Sequence, residues 1–549
     1  MPSSRSFLQL LLTARGVVSL FFGLLILTGV LLHRDYGVSI DEPNNHLNGL
    51  VSAKYLAQLV VPELVARQPT NHLIPDIRSF RDADHGVAFE LPMVVVSYLF
   101  TRHDAQAYYY LRHLLIFFLF VLGVWALYRL GTRWFGDWRW GLLGAGLLVL
   151  SPRFFAEAFY NGKDIVYMAF FTLAIYTLVR LLYHPTRGRA LVHGLATALA
   201  VDVRVQGVLL LVVTLVMLGL EAVNRPATEL PRRRVAGVAA LYVAAALIFI
   251  IIGWPYLWAT PLPELLNVSR RISQYSLWPG RVVYFGQVLP GTQLPWHYIP
   301  VWISLTTPLP YLLAAGLGLA ATLRRFWRGG WAYWRAREAR LSLLLLLWLL
   351  TPLVLVIALH AVVYNGWRHL YFLYPALLLF AVQGLRALLH VGRHSPSWAG
   401  RGLAVGLVAA GGLEVGHTVW RMIRLHPHQQ VYFSFLPAPA VEQQFDRDYW
   451  GLAYRQGLEW VLAHDPSPSI TYSGDADMLY CAGFLLPPAQ KARLQYIWKE
   501  NQPAARYFLT NHRPRNYSNS YPDSMKLWRE VHTIRAEGLP ILTVYQQKR

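Results

Sequence analysis

Cysteine and charge are both scarce in this chain of 549 residues. The single cysteine, Cys481, excludes an internal disulfide and a cysteine-ligated metal cluster. Charged residues make up only 14% of the sequence, against about 25% in a soluble domain. Acids are scarcest, with 29 Asp and Glu beside 50 Lys and Arg. What fills the gap is apolar: 55% of residues are hydrophobic, more than one water-soluble core can hide, so a bilayer takes much of it. The formal charge of +21 would suit nucleic acid if the basic residues formed one soluble face. Here the aromatics fall inside apolar runs, so nucleic acid is not the expected partner and the charge reads as membrane topology. No repeat or low-complexity segment is present.

Apolar runs of roughly 17–25 residues are the length a spanning helix needs. They fall near 14–33, 110–129, 140–156, 165–183, 190–203, 207–223, 235–253, 298–322, 341–361, 369–389 and 403–420. The 190–203 run is short. The first run is too long for a signal peptide, lacks a small-residue cleavage site and is followed by many more spans. One set of loops is basic and nearly free of acids: Arg5 and Arg15; Arg129, Arg133 and Arg139; Arg180, Arg187 and Arg189; Arg225 and Arg232 to Arg234; and "RRFWRGGWAYWRAREAR" from Arg324. These belong on the cytoplasmic side. The alternate loops carry mixed charge and belong outside. Eleven spans put the N-terminus in the cytoplasm and the tail outside, in agreement with the charges.

The expectation is a polytopic α-helical membrane protein, with a membrane domain over 1–420 and a soluble extracytoplasmic domain over 421–549. The first outer loop, 34–109, contains "FELPMVVVSYLF" (89–100), too short to span and expected to lie in the interface. A second large outer loop covers 254–297. In the tail, "SITYS", "ARYFLTN" and "LPILTVYQ" read as strands and "YRQGLEWVLAH" as a helix, which gives a small α/β domain.

Polar residues recurring at the outer ends of several spans are the candidates for chemistry. Asp41 and Glu42 open the first outer loop in "SIDEPNN". Paired carboxylates suit a general base with a tuning neighbour, but acids also favour a helix N-terminus, and both readings stand. Glu90 leads the interfacial stretch. With Asp82, Asp84 and His85 it offers oxygen and nitrogen ligands to a divalent cation, at a spacing that matches no strong metal motif. "SPRFFAEAFYNGKDIVYM" places Arg153, Glu157, Lys163 and Asp164 around one outer turn. Its "NGKD" lacks the features of a phosphate-binding P-loop. A Lys-Asp pair there is commonly a surface ion pair, whereas Arg153 calls for a phosphate or a buried acid. "AVDVRVQG" sets Asp202, Arg204 and Gln206 between two spans, and "YNGWRHLYFLYPA" sets Arg368 and His369 at another outer mouth. An internal Asp-Arg pair and a snorkelling arginine are the plainer readings of these two. Together, cations for a phosphate and carboxylates for a base are the equipment of an enzyme using a lipid-phosphate substrate.

The order of these motifs resembles a known group. A span, an outer loop opening with "DE", "FELP" before an interfacial helix, a "SPR…KD" turn, a "VRVQG" break and "WRHLYFLYP" at a span mouth follow in sequence. Over residues 10–420 this resembles the GT-C glycosyltransferases that use polyprenyl-phosphate sugars, relatives of protein O-mannosyltransferases and lipid A aminoarabinose transferases. "HPHQQVYFS" and "DRDYWGLAYRQGLEW" in the tail are similar to a bacterial subgroup described as family-39-like. The resemblance implies inverting transfer of a sugar from a polyprenyl-phosphate carrier to a hydroxyl acceptor at the outer side of the cytoplasmic membrane. It implies Asp41 as base with Glu42 beside it, and Asp164 and Glu90 as supporting acids. The family's "FEKP" lysine is Leu91 here. That loss places the phosphate on Arg204, Arg368, Lys163, Arg153 and His369. No ATP is needed for this step, and a divalent cation is the one candidate cofactor, with Glu90, Asp164 and His85 as its candidate ligands.

Two rivals are a transporter or flippase of lipid-linked sugars and a non-catalytic envelope scaffold. The first predicts charges near span midplanes, and the second leaves Asp41, Glu42 and the cations without a purpose.

Overall fold

The computed structural model describes residues 13–102, 104–273, 280–475, 478–512 and 527–548. Arg5, one of the expected cytoplasmic arginines, lies outside the described residues. All eleven expected apolar segments are helical, and among the described residues eight helices are long and apolar enough to cross a membrane. The others differ for local reasons. Trp138–Val149 and Pro152–Tyr160 form one run bent by 71°, where Pro152 cannot continue the helix and starts a new one. Arg187–Val201 has only 15 residues. The 298–322 run is split at Pro308 into Tyr298–Thr306 and Leu309–Arg335.

The long Ala105–Phe135 helix has sharp ends. Asp104 accepts hydrogen bonds from the Gln106 and Ala107 amides at 2.7 and 3.2 Å, and Gly136 stops the helix at φ 72°. Asp164–Tyr183 is the central helix, with 89% of its apolar window buried, whereas only 11% is buried in Ala14–Leu32 and Trp398–Leu425. Those two are peripheral and present apolar side chains to the bilayer. Leu309–Arg335 and Tyr374–His394 pack at backbone contact: a Cβ on Gly318 would collide with the Phe380 carbonyl, and one on Gly384 with that of Ala314. Small residues permit such approach inside a membrane.

The first loop carries helices Glu42–Val60, Pro62–Ala66 and the short, apolar Glu90–Phe100. The second contains helix Pro261–Ser273 and an antiparallel hairpin, Arg281–Tyr284 with Gln287–Pro290. After the last long helix the chain builds a five-stranded sheet. Ile470–Gly474 pairs in parallel with Leu494–Tyr496 and Tyr507–Thr510; Leu539–Gln547 runs antiparallel to Tyr507–Thr510 and to the edge strand Trp528–Ala536. Helix Tyr454–His464 covers this small sheet domain.

Candidate functional site

Segments distant in sequence converge where the membrane helices meet the tail. Asp41 immediately precedes helix Glu42–Val60, Asp164 begins Asp164–Tyr183, Arg204 sits in the break before Val205, and Arg368 opens the turn into Tyr374–His394. The breaks are local: Asn161 Oδ1 accepts from the Asp164 amide at 2.8 Å and so ends the turn before the central helix. The segment Asp446–Trp450 reaches in from the tail.

Arg368 is the hub. Its guanidinium pairs with Asp41, lies 3.7 Å from Asp164 and donates to the Tyr449 hydroxyl at 2.8 Å. It is stacked among the rings of Tyr364, Tyr449 and Trp450 at 5.1, 5.0 and 4.8 Å. Arg204 pairs with the buried Asp164, which also accepts from Asn161 at 3.0 Å. Asp164 is therefore bound to Arg204 rather than to Lys163, and Arg204 does not pair with nearby Asp202. The Asp41 side chain stays 30% exposed, so a substrate can reach it. Burial alone would push its carboxyl up, but Arg368, helped by Lys163 and Arg204, outweighs that and holds it below the usual value. Lys163 is half-buried and makes no ion pair among the described residues. Burial first, then Arg204, lowers its ammonium to about 8.

A cavity of about 260 Å³ opens beside this cluster. Arg204, His85 and His369 form its polar side, and Leu209, Leu355 and Val356 its apolar side. The buried His369 Nε2 has no hydrogen-bond partner among the described residues. Asp82, Asp84 and His85 gather with their ligand atoms within 4.8 Å of one another, which makes a possible metal-binding group. Two carboxylates and an imidazole at that spacing fit a divalent cation. Asn44 donates to Asp82 at 2.7 Å, and Glu90 is not part of the group.

Glu42 and Glu90 lie elsewhere. Glu42 is fully buried, accepts the Ser39 amide at 2.7 Å and sits 3.4 Å from Arg112 and 3.1 Å from His113. Glu90 receives two bonds from Arg112, at 2.6 and 2.8 Å. Adjacent in sequence, Asp41 and Glu42 thus face different partners. Arg153 stands behind Arg368: it donates to the Tyr432 carbonyl at 3.0 Å and shares a chamber of about 30 Å³ with Glu157, Arg368 and Tyr449. Sequence reading passed over Arg112, His113 and Tyr449. A charged pair inside the apolar "YYYLRHLLIFF" was the available signal for the first two.

Among the described residues, eight helices long and apolar enough to span, a helical first loop and a small C-terminal sheet domain make this a multi-span membrane protein, and its fold is one that solved membrane proteins share. The likeness is to particular solved structures. ArnT from Cupriavidus metallidurans, in the apo state, matches at TM-score 0.50 and 15% identity, over 97% of this chain and 98% of ArnT. The apo oligosaccharyltransferase of Archaeoglobus fulgidus matches at TM-score 0.50 and 12% identity over 89% of this chain, which spans 65% of that protein's length. No protein-family model and no curated protein sequence matches the chain.

Proposed function

We propose that this chain is an inverting glycosyltransferase that moves a sugar from a polyprenyl-phosphate carrier to a hydroxyl acceptor. The reaction takes place on the outer side of the cytoplasmic membrane, with the N-terminus cytoplasmic and the sheet domain extracytoplasmic. Residues 1–420 are the membrane catalytic domain and 421–549 the soluble one. One observation carries the reading: an accessible carboxylate, Asp41, held by Arg368 in a cluster with Lys163 and Arg204, beside a cavity with an apolar wall. A lipid phosphate has the matching chemistry, an anion on an apolar tail.

In this mechanism the acceptor oxygen attacks the anomeric carbon from the face opposite the phosphate. Its proton passes to Asp41, the bond from that carbon to the phosphate oxygen breaks, and the polyprenyl phosphate leaves with the electron pair. Arg368 keeps Asp41 ionised and aimed, at the cost of basicity. A weakened base suffices because phosphate is already a good leaving group and the cations stabilise its charge. Arg204, Lys163 and Arg368 bind the phosphate, with His369 beside Arg204 on the cavity wall and Arg153 behind Arg368. Asp164 orients Arg204 and Arg368, while Glu42 and Glu90 fix the loop through Arg112. A divalent cation held by Asp82, Asp84 and His85 would add positive charge beside the leaving phosphate.

The test is reconstitution of the purified protein in vesicles with polyprenyl-phosphate sugars and hydroxyl acceptors. The expected products are free polyprenyl phosphate and a glycoside of inverted configuration. Passage of intact lipid-linked sugar across the vesicle without cleavage would make the chain a transporter instead.

A further inference from the structure

A second, larger groove lies away from the cluster, at the junction of the last long helix and the sheet domain. It has a volume of about 690 Å³ and is walled by Trp420, Arg421 and Arg424 of Trp398–Leu425, by Phe435, and by Arg535 and Glu537 of the sheet's terminal hairpin. The hairpin turn is tight, with Glu537 and Gly538 at φ 49° and 84°, the left-handed pair that two-residue turns require. This turn aims Glu537 at Arg421, which binds it at 2.6 Å and donates to the Phe433 and Ser434 carbonyls at 2.8 and 3.1 Å. That clamp joins sheet to span and neutralises Glu537, the one acid among the described residues that line the groove.

The remaining charge is positive. Arg424 lies over the Trp420 ring at 4.8 Å and makes no ion pair among the described residues. Arg535 donates to the Gly538 carbonyl at 3.1 Å and likewise has no carboxylate partner among them. His417, the other titratable lining group, is 3.4 Å from Glu414. Beside these cations the wall is apolar and open, with Trp420 50% and Phe435 52% exposed. The helix that carries Trp420 is the least buried of the spans together with the first, so this wall faces lipid. Cations above an apolar, lipid-facing wall complement a molecule with an anionic head and a hydrocarbon tail.

We propose that this groove is a binding site for the headgroup of an anionic membrane phospholipid, with Arg424 and Arg535 on its phosphate and Trp420 and Phe435 against the start of its acyl chains. The site is independent of the transfer reaction. The experiment measures binding of fluorescent short-chain phosphatidylglycerol and phosphatidylcholine to the full-length protein in neutral detergent. The parent is expected to prefer phosphatidylglycerol. Arg424→Gln with Arg535→Gln should weaken it about 30-fold, on roughly 1 kcal/mol for each basic residue at a membrane surface. Arg401→Gln, on the same helix near its other end, should not. The double variant keeps the Arg421–Glu537 clamp, and its melting temperature checks the fold. Equal binding of both lipids by the parent would overturn the proposal without any variant. So would full displacement by equimolar inorganic phosphate, which would make it a free-anion site. A concentration-dependent dimer abolished by the double variant would also overturn it, by assigning the groove to a second copy of the chain.

Discussion

Replacing Arg112 with Met separates support from chemistry more cleanly than any other single change. Arg112 is wholly buried between Glu90 and Glu42. Its loss removes both bonds to Glu90, at 2.6 and 2.8 Å, and leaves Glu42 with only Ser39 and His113. Removing one partner of a buried ion pair costs about 3–5 kcal/mol, because a charge is stranded without compensation. Against a net stability of roughly 5–15 kcal/mol that is about a fifth or more of the total. Arg112→Met should therefore melt well below the parent and give a poor yield of monodisperse protein. Adding Glu90→Leu removes the stranded charge, and the double variant should recover most of the loss, since an apolar pair of similar volume commonly replaces a buried ion pair at little cost. Thermal melts of the purified proteins in one detergent measure both. If Arg112→Met melts like the parent, or if the double variant melts no higher than the single one, the supporting role of this triad is refuted.

Other consequences concern the cluster itself. Because Lys163 titrates near 8, it is charged below that pH and loses its charge as pH rises through it. The donor KM should climb above pH 8, and Lys163→Arg should flatten the climb; a parent KM constant from pH 7 to 9 would contradict this. Tyr449→Phe removes the hydroxyl that holds Arg368 at 2.8 Å. A hydrogen bond to a charged group is worth about 1.5 kcal/mol or more, so the donor KM should rise roughly tenfold with little change in kcat. An unchanged KM would mean that the tail does not position Arg368.

The sequence made some of this geometry legible and hid the rest for physical reasons. Arg204 and Arg368 stand out because each is a charge at the mouth of an apolar run, and ion pairs do join them to Asp164 and Asp41. Glu90 carries the same signal yet binds Arg112, a partner that looked like the first turn of a span. Adjacent acids look equivalent in a string, but Asp41 precedes the helix and Glu42 is its first residue, so they point to different partners. Tyr449 lies 81 residues beyond Arg368, and nothing local in "DRDYW" shows which span it will meet. In the tail, Ile470–Gly474, Tyr507–Thr510 and most of Leu539–Gln547 are buried strands carrying Ile, Tyr, Phe, Leu or Val, while Trp528–Ala536, at one edge, is mostly polar and half-exposed and gives no alternation to read.

The most direct measurement is the initial rate of sugar transfer from a polyprenyl-phosphate donor by Asp41→Asn beside the parent, at matched protein and matched melting temperature. Asparagine keeps the size of Asp41 but cannot take the acceptor's proton. A positioned general base contributes ~10²–10⁴-fold, so the variant should lose at least a hundredfold in kcat while still binding donor. Transfer at the parent's rate would contradict the assignment of Asp41 as the base.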